Sequence, residues 1–240
     1  MANPPTPCLA VVMPVFNEGA TVGRVLRRVL DRPEVQEVIV VDDGSTDGTI
    51  AAVREVAARD PRVRPCQHAK NQGKGAALRT GFRQVTAPIT IVQDADLEYD
   101  PSDYPQMIQP IIDGHAAVVF GSRFIGAGPH RVLYFWHYQG NRFLTLLSNM
   151  LTDLNLTDME TCFKAFRKDV VERLEIRENR FGVEPEVTAR VAKMGVPIYE
   201  VSISYFGRTY AEGKKIGWRD GVRAIWCILR YNAPLRGFRG

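Results

Sequence analysis

The fold of this chain is decided by the stretch ITIVQDADLEYD at residues 89–100. Its first five residues are mostly β-branched or apolar, which is typical of a buried strand. Asp94 and Asp96 follow directly, and Glu98 comes two residues later. Open α/β sheets bind ligands at the carboxyl ends of their strands, and neighbouring carboxylates suit a divalent cation. The alternative is a solvated acidic turn before Pro101, because Asp-x-Asp alone is common.

The bulk composition is that of a globular protein with one large domain. The chain has 240 residues, of which 45% are hydrophobic and 24% are charged. The four cysteines are widely spaced and the four histidines show no ligand spacing, so neither a zinc site nor a disulfide framework is predicted. The N-terminus lacks a signal-peptide pattern, and no run of 18 apolar residues exists. We therefore expect a cytoplasmic protein without a membrane-spanning segment.

Positive charge is concentrated near the C-terminus. Residues 205–240 contain eight Lys or Arg and two acidic residues, which gives a local net charge of +6. The net charge of the whole chain is +4. Such a segment is compatible with nucleic acid, anionic lipid or a phosphorylated substrate. Because no zinc-finger spacing, RNP-type strand or basic region with heptads occurs, we predict no nucleic-acid partner.

Strands alternate with helices in the first half of the chain, which predicts a doubly wound, mainly parallel sheet. The predicted strands lie at 9–14, 38–42, 63–67, 89–93 and 116–121. We expect Ser45 or Thr46 to cap the second helix and Ser102 to cap the fourth. Neither GxGxxG nor GxxxxGK[ST] is present, which argues against a dinucleotide enzyme or a P-loop protein. Further strands are predicted at 162–166 and 197–205.

The second half contains two segments rich in apolar residues, and each suits either of two locations. Residues 124–157 are rich in aromatic and apolar residues, with Arg131 and Arg142 among them. The last helix, predicted at 218–231, carries an apolar stripe at helical spacing. The stripe consists of Val222, Ile225, Trp226 and Leu229. Each segment suits either packing in the core or docking in a membrane interface, where Trp, Tyr and Arg are favoured.

The order of several motifs carries a family resemblance. VVMPVFNE, VVDDGSTDGT, NQGKGAALRTGF and DADLEYDP follow one another from residue 11 to residue 101. Together they resemble the inverting GT-A glycosyltransferases of family 2. GSRF, ETCFKAFR, FGVEPEVTARVAKMG and YEVSISYFGRTYAEGKK look like the dolichol-phosphate mannose synthase branch. The resemblance therefore spans nearly the whole chain and implies a Rossmann-like nucleotide-sugar-binding fold with a C-terminal amphipathic helix.

The resemblance implies a reaction and its ligands. A hexose would move from a nucleotide sugar, GDP-mannose or a UDP-sugar such as UDP-glucose, to a dolichyl or undecaprenyl phosphate, with Mg²⁺ or Mn²⁺ as cofactor. Residues 1–212 would form the catalytic domain, with a nucleotide-sugar half at 9–121 and an acceptor half at 122–212. Residues 213–240 would form a basic interfacial tail. We expect peripheral contact with the cytoplasmic face of a membrane, or a membrane-protein partner that presents the lipid.

The resemblance also implies residue roles. Glu98 stands where the mannose synthases usually show Gln, which leaves the donor open. Glu186 is a candidate sugar or cation contact, or else it pairs with a nearby Arg. The nucleoside would be held by Pro14, Asn17, Glu18 and Asp43, with Lys74 at the diphosphate or the base-binding loop. The metal would be held by Asp94, Asp96 and Glu98. The acceptor phosphate and the diphosphate would be held by Arg123, Arg208 and Lys214, with Arg131 as a weaker candidate.

Two other functions stay open at this level. One is a family 2 transferase that acts on a soluble or cell-surface glycan. The other is a non-catalytic subunit that binds a nucleotide sugar. The acidic motif and the basic loop favour catalysis, because a silent module does not need both.

Overall fold

Alternating strands and helices build a single sheet in the computed structural model of the protein, which describes residues 7–126, 132, 134–207 and 218–233. The strands are β1 Leu9–Val15, β2 Val35–Asp42, β3 Val63–Gln67, β4 Ile89–Val92, β5 Val118–Ser122, β6 Lys164–Arg167 and β7 Ile198–Ser202. The helices are α1 Val22–Leu30, α2 Thr49–Ala57, α3 Lys74–Phe82, α4 Tyr104–Ile112, α5 Phe135–Thr152, α6 Lys168–Arg173, α7 Val183–Met194 and α8 Trp218–Asn232.

The sheet has the strand order β3-β2-β1-β4-β6-β5-β7. β1 pairs in parallel with β2 and β4, β2 with β3, and β5 with β7. β6 runs antiparallel to both of its neighbours, β4 and β5. The predicted α/β fold with a mainly parallel sheet is confirmed. The carboxyl ends of β1, β2 and β4 consequently meet at one edge.

Helices cover both faces of the sheet, which explains why its central strands are hydrophobic throughout. Successive side chains of β1 point to opposite faces. Val11 and Met13 pack in a core with α1 and α4, whereas Val12 packs in a second core with α3 and α7. All four residues of β4 are buried. The strand that leads into the acidic loop is therefore held rigidly from both sides.

Two predicted helix caps are wrong. Gly48 is the N-cap of α2, and Asp47 Oδ1 accepts a hydrogen bond from the Thr49 N–H at 2.9 Å. Ser45 and Thr46 lie too early in the chain, because a tight turn precedes the helix. In front of α4, a 3₁₀ turn at Pro101–Asp103 takes the place of the predicted cap. Asp100 rather than Ser102 caps that turn, since its Oδ1 accepts from the Ser102 N–H at 2.9 Å.

α8 packs against α5 and α7, and it buries a face different from the predicted stripe. Its buried residues are Ala224, Cys227 and Ile228. From the stripe, Val222 is 57% exposed, Trp226 41% and Leu229 51%, while Ile225 is half-buried. The stripe is thus not the core-facing side of the helix. Whether residues 213–240 act as a separate unit stays a prediction.

In the part of the chain that the structure describes, no helix combines the length and the apolar character needed to cross a bilayer.

Candidate active site

The candidate site lies at the edge of the sheet where β1, β2 and β4 end. The register places Val15 beside Asp42 and Val12 beside Val92, so the loops that follow the three strands start side by side. In doubly wound sheets, ligands bind where neighbouring loops turn in opposite directions from such an edge. Most of the predicted nucleotide-binding residues are in these loops.

The loops after β1 and β2 are tied together by hydrogen bonds. Asn17 has a left-handed backbone with φ 53°. Its N–H donates to Ser45 Oγ at 2.9 Å, and its Oδ1 accepts from the Thr46 N–H at 2.9 Å. The Glu18 N–H donates to Thr49 Oγ1 at 2.9 Å. Pro14, in β1, lies opposite Val41. The structure therefore brings Asn17 and Glu18 next to the loop after β2, as the sequence predicts for a nucleoside site.

Asp43 is buried and holds the loop that precedes α3. Its carboxylate accepts from the backbone N–H groups of Gln72 at 3.0 Å and Gly73 at 2.6 Å. His68 Nδ1 lies 2.7 Å from Asp43 Oδ1, and His68 Nε2 lies 2.9 Å from Thr80 Oγ1. His68 thus links Asp43 to Thr80 of α3, which is a structural role. An open cleft of about 500 Å³ adjoins this histidine, lined by Gly44, Ser45, Thr46, Gln67, His68 and Ala69.

Lys74, the first residue of α3, pairs with the acidic motif. Its Nζ lies 2.7 Å from Asp94 Oδ1. Burial alone would lower the pKa of Lys74, but the Asp94 carboxylate raises this pKa well above its ordinary value. Gly73 sets the approach of the loop, because it has φ +101° and a Cβ there would lie 2.2 Å from the Asn179 carbonyl oxygen. Lys74 is therefore a fixed cation beside the end of β4.

The acidic loop after β4 bends sharply at Leu97, which has φ 65°. Asp96 Oδ1 accepts from the Glu98 N–H at 3.1 Å, and Glu98 Oε2 accepts from the Tyr205 hydroxyl at 2.9 Å. The Phe206 N–H donates to the Glu98 carbonyl at 2.9 Å. The acidic loop is thus fastened to the segment that follows β7. A left-handed conformation at a non-glycine residue is strained, and such strain clusters at functional sites.

A divalent cation fits this loop only as part of a complex with a ligand. Among the described residues, no three His, Cys, Asp or Glu side chains are gathered into a metal cluster. Asp96 and Glu98 supply hard carboxylate oxygens, which Mg²⁺ and Mn²⁺ prefer. With so few protein ligands, the remaining positions suit phosphate oxygens and water, as is common for Mg²⁺ bound together with a nucleotide.

Arg123 forms a buried, bidentate ion pair on the other side of the site. Its Nε lies 2.6 Å from Asp158 Oδ2 and its Nη2 lies 2.7 Å from Asp158 Oδ1. The guanidinium also lies over the rings of Phe124, at 5.4 Å, and Tyr205, at 5.2 Å. Burial would lower the pKa of Arg123, but the Asp158 carboxylate raises it well above its ordinary value. Asp158 is a site residue that sequence reasoning missed.

Glu184 and Lys164 are two further residues that the sequence did not single out. Lys164 Nζ lies 2.5 Å from Glu184 Oε2 and donates to the Met159 and Thr161 carbonyls. Glu184 Oε1 lies 3.9 Å from Lys74 Nζ. Residues two apart on a helix point in nearly opposite directions, so only one of Glu184 and Glu186 can face the site. That spacing was the available signal, and the prediction took the other glutamate.

Glu160 lies among these ion pairs. Its Oε1 atom is buried and makes no hydrogen bond. Burial and the neighbouring Glu184 carboxylate raise the pKa of Glu160 to about 7.

The comparisons with known proteins agree with this geometry. The model of Glycosyl transferase family 2 matches residues 10–175. The chain belongs to this family. It is 28% identical over 237 residues to the undecaprenyl-phosphate mannosyltransferase of Micrococcus luteus, covering 94% of each chain. It is 26% identical over 220 residues to the polyprenol monophosphomannose synthase of Mycolicibacterium smegmatis, covering 89% of this chain and 83% of that one.

A solved structure confirms the predicted GT-A fold of this family 2 member. The chain superposes with a TM-score of 0.73 and 20% identity on glucosyl-3-phosphoglycerate synthase from Mycobacterium tuberculosis in complex with Mn²⁺, UDP and glucosyl-3-phosphoglycerate. The match covers 93% of this chain and 79% of that one. At this identity the likeness concerns the fold.

The remaining predicted residues divide into two groups. Glu186 is fully buried, and its carboxylate accepts from the Arg177 and Glu178 N–H groups and from Arg190 Nε at 2.8 Å. The pairing with a nearby Arg, which was its alternative role, is thus present. Arg131, Arg208 and Lys214 lie outside the described residues, so their roles stay predictions.

Proposed function

We propose that this family 2 glycosyltransferase moves a hexose from a nucleotide sugar to a polyprenyl phosphate with inversion at the anomeric carbon, using Mg²⁺ or Mn²⁺. The observation that carries the proposal is the meeting of cations and carboxylates at one sheet edge. Lys74 and Asp94 stand on its donor side, and Arg123 and Asp158 stand on its acceptor side. The names of the relatives support the choice of acceptor.

The nucleoside binds at the loops after β1 and β2. Pro14, Asn17 and Glu18 form one wall, and Asp43 shapes the other by fixing the loop before α3. The Asp43 carboxylate is buried and already bonded to Gln72, Gly73 and His68, so it acts on the nucleoside site by fixing this loop. The cleft beside His68 offers room for a base or ribose.

The diphosphate binds between Lys74 and the acidic loop. Asp96 and Glu98 would hold the cation, which would supply charge neutralisation at the leaving diphosphate. Asp94, the third predicted ligand, pairs with Lys74. Lys74 adds a fixed positive charge at the same place, because Asp94 orients its ammonium group. The chain thus contributes preorganised charge without a change of conformation at the moment of reaction.

The acceptor phosphate binds on the side of Arg123, with Arg208, Lys214 and Arg131 as further cations. Arg208 follows Tyr205 by three residues in sequence, and Tyr205 contacts both Glu98 and the Arg123 guanidinium. An open cleft of about 380 Å³ adjoins this side, and Phe124, Tyr138, Arg142 and Leu146 are among its lining residues. A phosphate monoester is largely ionised at neutral pH, with a second pKa of about 6, so it can attack without a strong base.

Peripheral membrane contact is supported by exposed apolar side chains on α5 and α8, two helices that pack together. Trp136 is 80% exposed, and Arg223 and Arg230 stack on Trp226 at 4.1 and 4.6 Å. Aromatic residues flanked by arginines suit the interface of an anionic bilayer. On the described parts of these two helices, the further exposed large apolar residues are Phe135, Phe143, Leu146, Met150, Leu151, Val222 and Leu229. The alternative is that a membrane protein, which presents the lipid, covers this exposed surface of α5 and α8.

A thermal-shift screen tests the donor and the acceptor. We expect GDP-mannose or UDP-glucose with Mn²⁺ to raise the melting temperature, and a short polyprenyl phosphate to raise it further, because ligands that bind only the folded state stabilise it. No shift with any nucleotide sugar would contradict the proposal. A shift with nucleotide sugar that the lipid phosphate never increases would favour a glycan acceptor or a binding subunit.

A further inference from the structure

Three cations in the candidate site each have a carboxylate partner. Lys74 pairs with Asp94 at 2.7 Å, Arg123 with Asp158 at 2.6 Å, and Lys164 with Glu184 at 2.5 Å. Glu160 is a fourth carboxyl group in the same region, and the charges of Glu184, Lys164, Arg123 and Asp158 act on it. Within the described ranges, no cation is paired with Glu160.

The backbone around Glu160 is fixed on both sides. The N–H groups of Thr157 and Asp158 donate to the Glu200 carboxylate at 2.9 and 3.1 Å. The Cys162 N–H donates to the Tyr99 hydroxyl at 3.3 Å. Between these anchors, the carbonyls of the two residues that flank Glu160 both accept from Lys164 Nζ. Glu160 therefore projects from a rigid loop.

That loop runs between the two halves of the proposed site. It begins at Asp158, which holds Arg123 on the acceptor side. It ends near Lys164, whose partner Glu184 lies 3.9 Å from Lys74 on the donor side. The group that passes from donor to acceptor in the proposed reaction is the hexose, so the loop that carries Glu160 runs between the two groups that exchange it.

The state of the Glu160 carboxyl indicates what it binds. Its Oε1 atom is buried without a hydrogen bond, which is costly for a polar atom. The side chain as a whole is partly exposed, and rotation of the carboxyl exchanges its two oxygens. A carboxyl group accepts from a hydroxyl when ionised, and it both donates and accepts when protonated. A phosphate would be repelled by the ionised form, whereas a sugar hydroxyl suits both forms.

We propose that Glu160 is a sugar-binding residue that hydrogen-bonds a hydroxyl group of the hexose during transfer. This inference rests on the proposed function and adds a named contact to the transferred group, separate from the contacts to nucleoside and phosphate. Such a contact selects among hexoses, because a site built to bond one hydroxyl discriminates against an epimer that presents it differently.

The test compares binding of a nucleotide sugar with binding of its nucleoside diphosphate, both with Mn²⁺, by calorimetry. GDP-mannose with GDP and UDP-glucose with UDP are the probes. In Glu160→Leu we expect the affinity for the nucleotide sugar to fall about tenfold or more, while the affinity for the diphosphate changes less than twofold. Glu175→Gln is the control, because the Glu175 carboxyl is 72% exposed and pairs only with an exposed Arg177 in the described chain.

Deoxy-sugar donors supply a second measurement. If Glu160 bonds one hydroxyl, the donor that lacks this hydroxyl binds wild type about tenfold more weakly, and Glu160→Leu adds no further loss with that donor. Should Glu160→Leu fail to fold, Glu160→Gln takes its place, and its effect must then be non-additive with the loss of that hydroxyl. The assignment would be overturned if the Glu160 variant kept its affinity for the nucleotide sugar, or lost affinity equally for the nucleotide sugar and the diphosphate. It would also be overturned if the effects of the variant and of the missing hydroxyl were additive with every deoxy donor. Wild type that binds diphosphates but no nucleotide sugar would overturn the proposed function as well.

Discussion

Asp96 is the single residue on which the proposed metal chemistry depends most. Asp96→Asn removes one charge at nearly constant volume, so we expect turnover to fall by orders of magnitude while the fold persists. Activity measured with Mn²⁺ and with EDTA checks this, together with circular dichroism of the variant. Asp113→Asn, at an exposed position bonded to Gln109 Nε2, is the control. Near-normal turnover in the presence of EDTA would rule out the metal.

Substitutions of Arg123 and Arg208 are expected to differ, although the family resemblance implies a role for both at the acceptor phosphate and the diphosphate. Arg123→Ala leaves the fully buried Asp158 carboxylate without its partner, which typically costs about 3–5 kcal/mol of stability. Urea denaturation measures this loss. Arg177→Ala is the matched control, because its exposed pair with Glu175 contributes about 0–1 kcal/mol. Equal stability of the two variants would show that the Arg123–Asp158 pair does not hold the site together.

Arg208→Ala should keep nucleotide-sugar binding and lose transfer. Loss of a charge-assisted hydrogen bond costs about 1.5–3 kcal/mol, which corresponds to roughly ten- to hundredfold in affinity or rate. Donor binding by calorimetry and transfer rate with varied lipid phosphate separate the two effects. A variant that lost donor binding but kept its acceptor affinity would reverse the assignment.

Glu160 also predicts a pH dependence of stability. Its folded-state pKa of about 7 lies above the ordinary value of 4.5, so its protonated form stabilises the fold fully below pH 4.5, and this contribution is lost as the pH rises through 7. We expect the melting temperature of wild type to fall relative to that of Glu160→Gln between pH 5 and pH 8, a range set by these pKa values. A constant difference between the two proteins would contradict the raised pKa.

Some site residues were predicted from the sequence and others were missed, and the difference has a physical reason. Asp94 and Asp43 were found because each lies within two residues of the end of a strand whose apolar run is visible in the sequence. Asp158, Lys164 and Glu184 were missed because their partners are distant in sequence, and pairing across 20 or more residues leaves no local pattern. Glu186 was taken from the family resemblance, and Glu184 was not considered, because helix phase near a terminus cannot be read without knowing which face packs.

At the scale of elements, apolar runs predicted the strands well, since buried strands of a parallel sheet need apolar residues on both faces. Helix termini were predicted less well, because the side chains that accept backbone N–H bonds where these turns begin are Asp47 and Asp100, not Ser45, Thr46 or Ser102. The apolar stripe of α8 was recognised, but its orientation was open. The helix buries Ala224, Cys227 and Ile228 against α5 and α7 and leaves Val222, Trp226 and Leu229 exposed.

This orientation sharpens the membrane prediction for α8. Changing Val222, Trp226 and Leu229 together to Ser should leave the protein folded and reduce binding to anionic vesicles, because all three are exposed. Vesicle sedimentation at low and high salt measures the effect, and salt should weaken but not abolish binding by wild type. Cys227→Ser with Ile228→Ser is the matched control and should destabilise the fold, since both side chains are buried. Wild type that never binds vesicles would point to a membrane-protein partner.

At the scale of the whole molecule, the proposed binding sites for the nucleotide sugar and for the acceptor lie along one edge of the sheet. The parallel half, β3-β2-β1-β4, presents the loops for the nucleotide sugar. The antiparallel β6 then places residues 158–162 between that half and the strands β5 and β7, which lead to Arg123 and to Tyr205. The hydrogen bond between Tyr205 and Glu98 fastens the two halves together. Donor and acceptor are thus expected to meet at a seam that needs no domain closure.

The most direct test of the proposed function is an assay of hexose transfer to a polyprenyl phosphate. Purified protein is incubated with Mn²⁺, undecaprenyl phosphate in detergent, and GDP-mannose or UDP-glucose labelled in the sugar, and the label is followed after lipid extraction. We expect label in the organic phase as a hexosyl phosphate lipid with inverted configuration at the anomeric carbon, and none with Asp96→Asn. Label that stays in the aqueous phase with every donor, from protein that binds these donors, would contradict it.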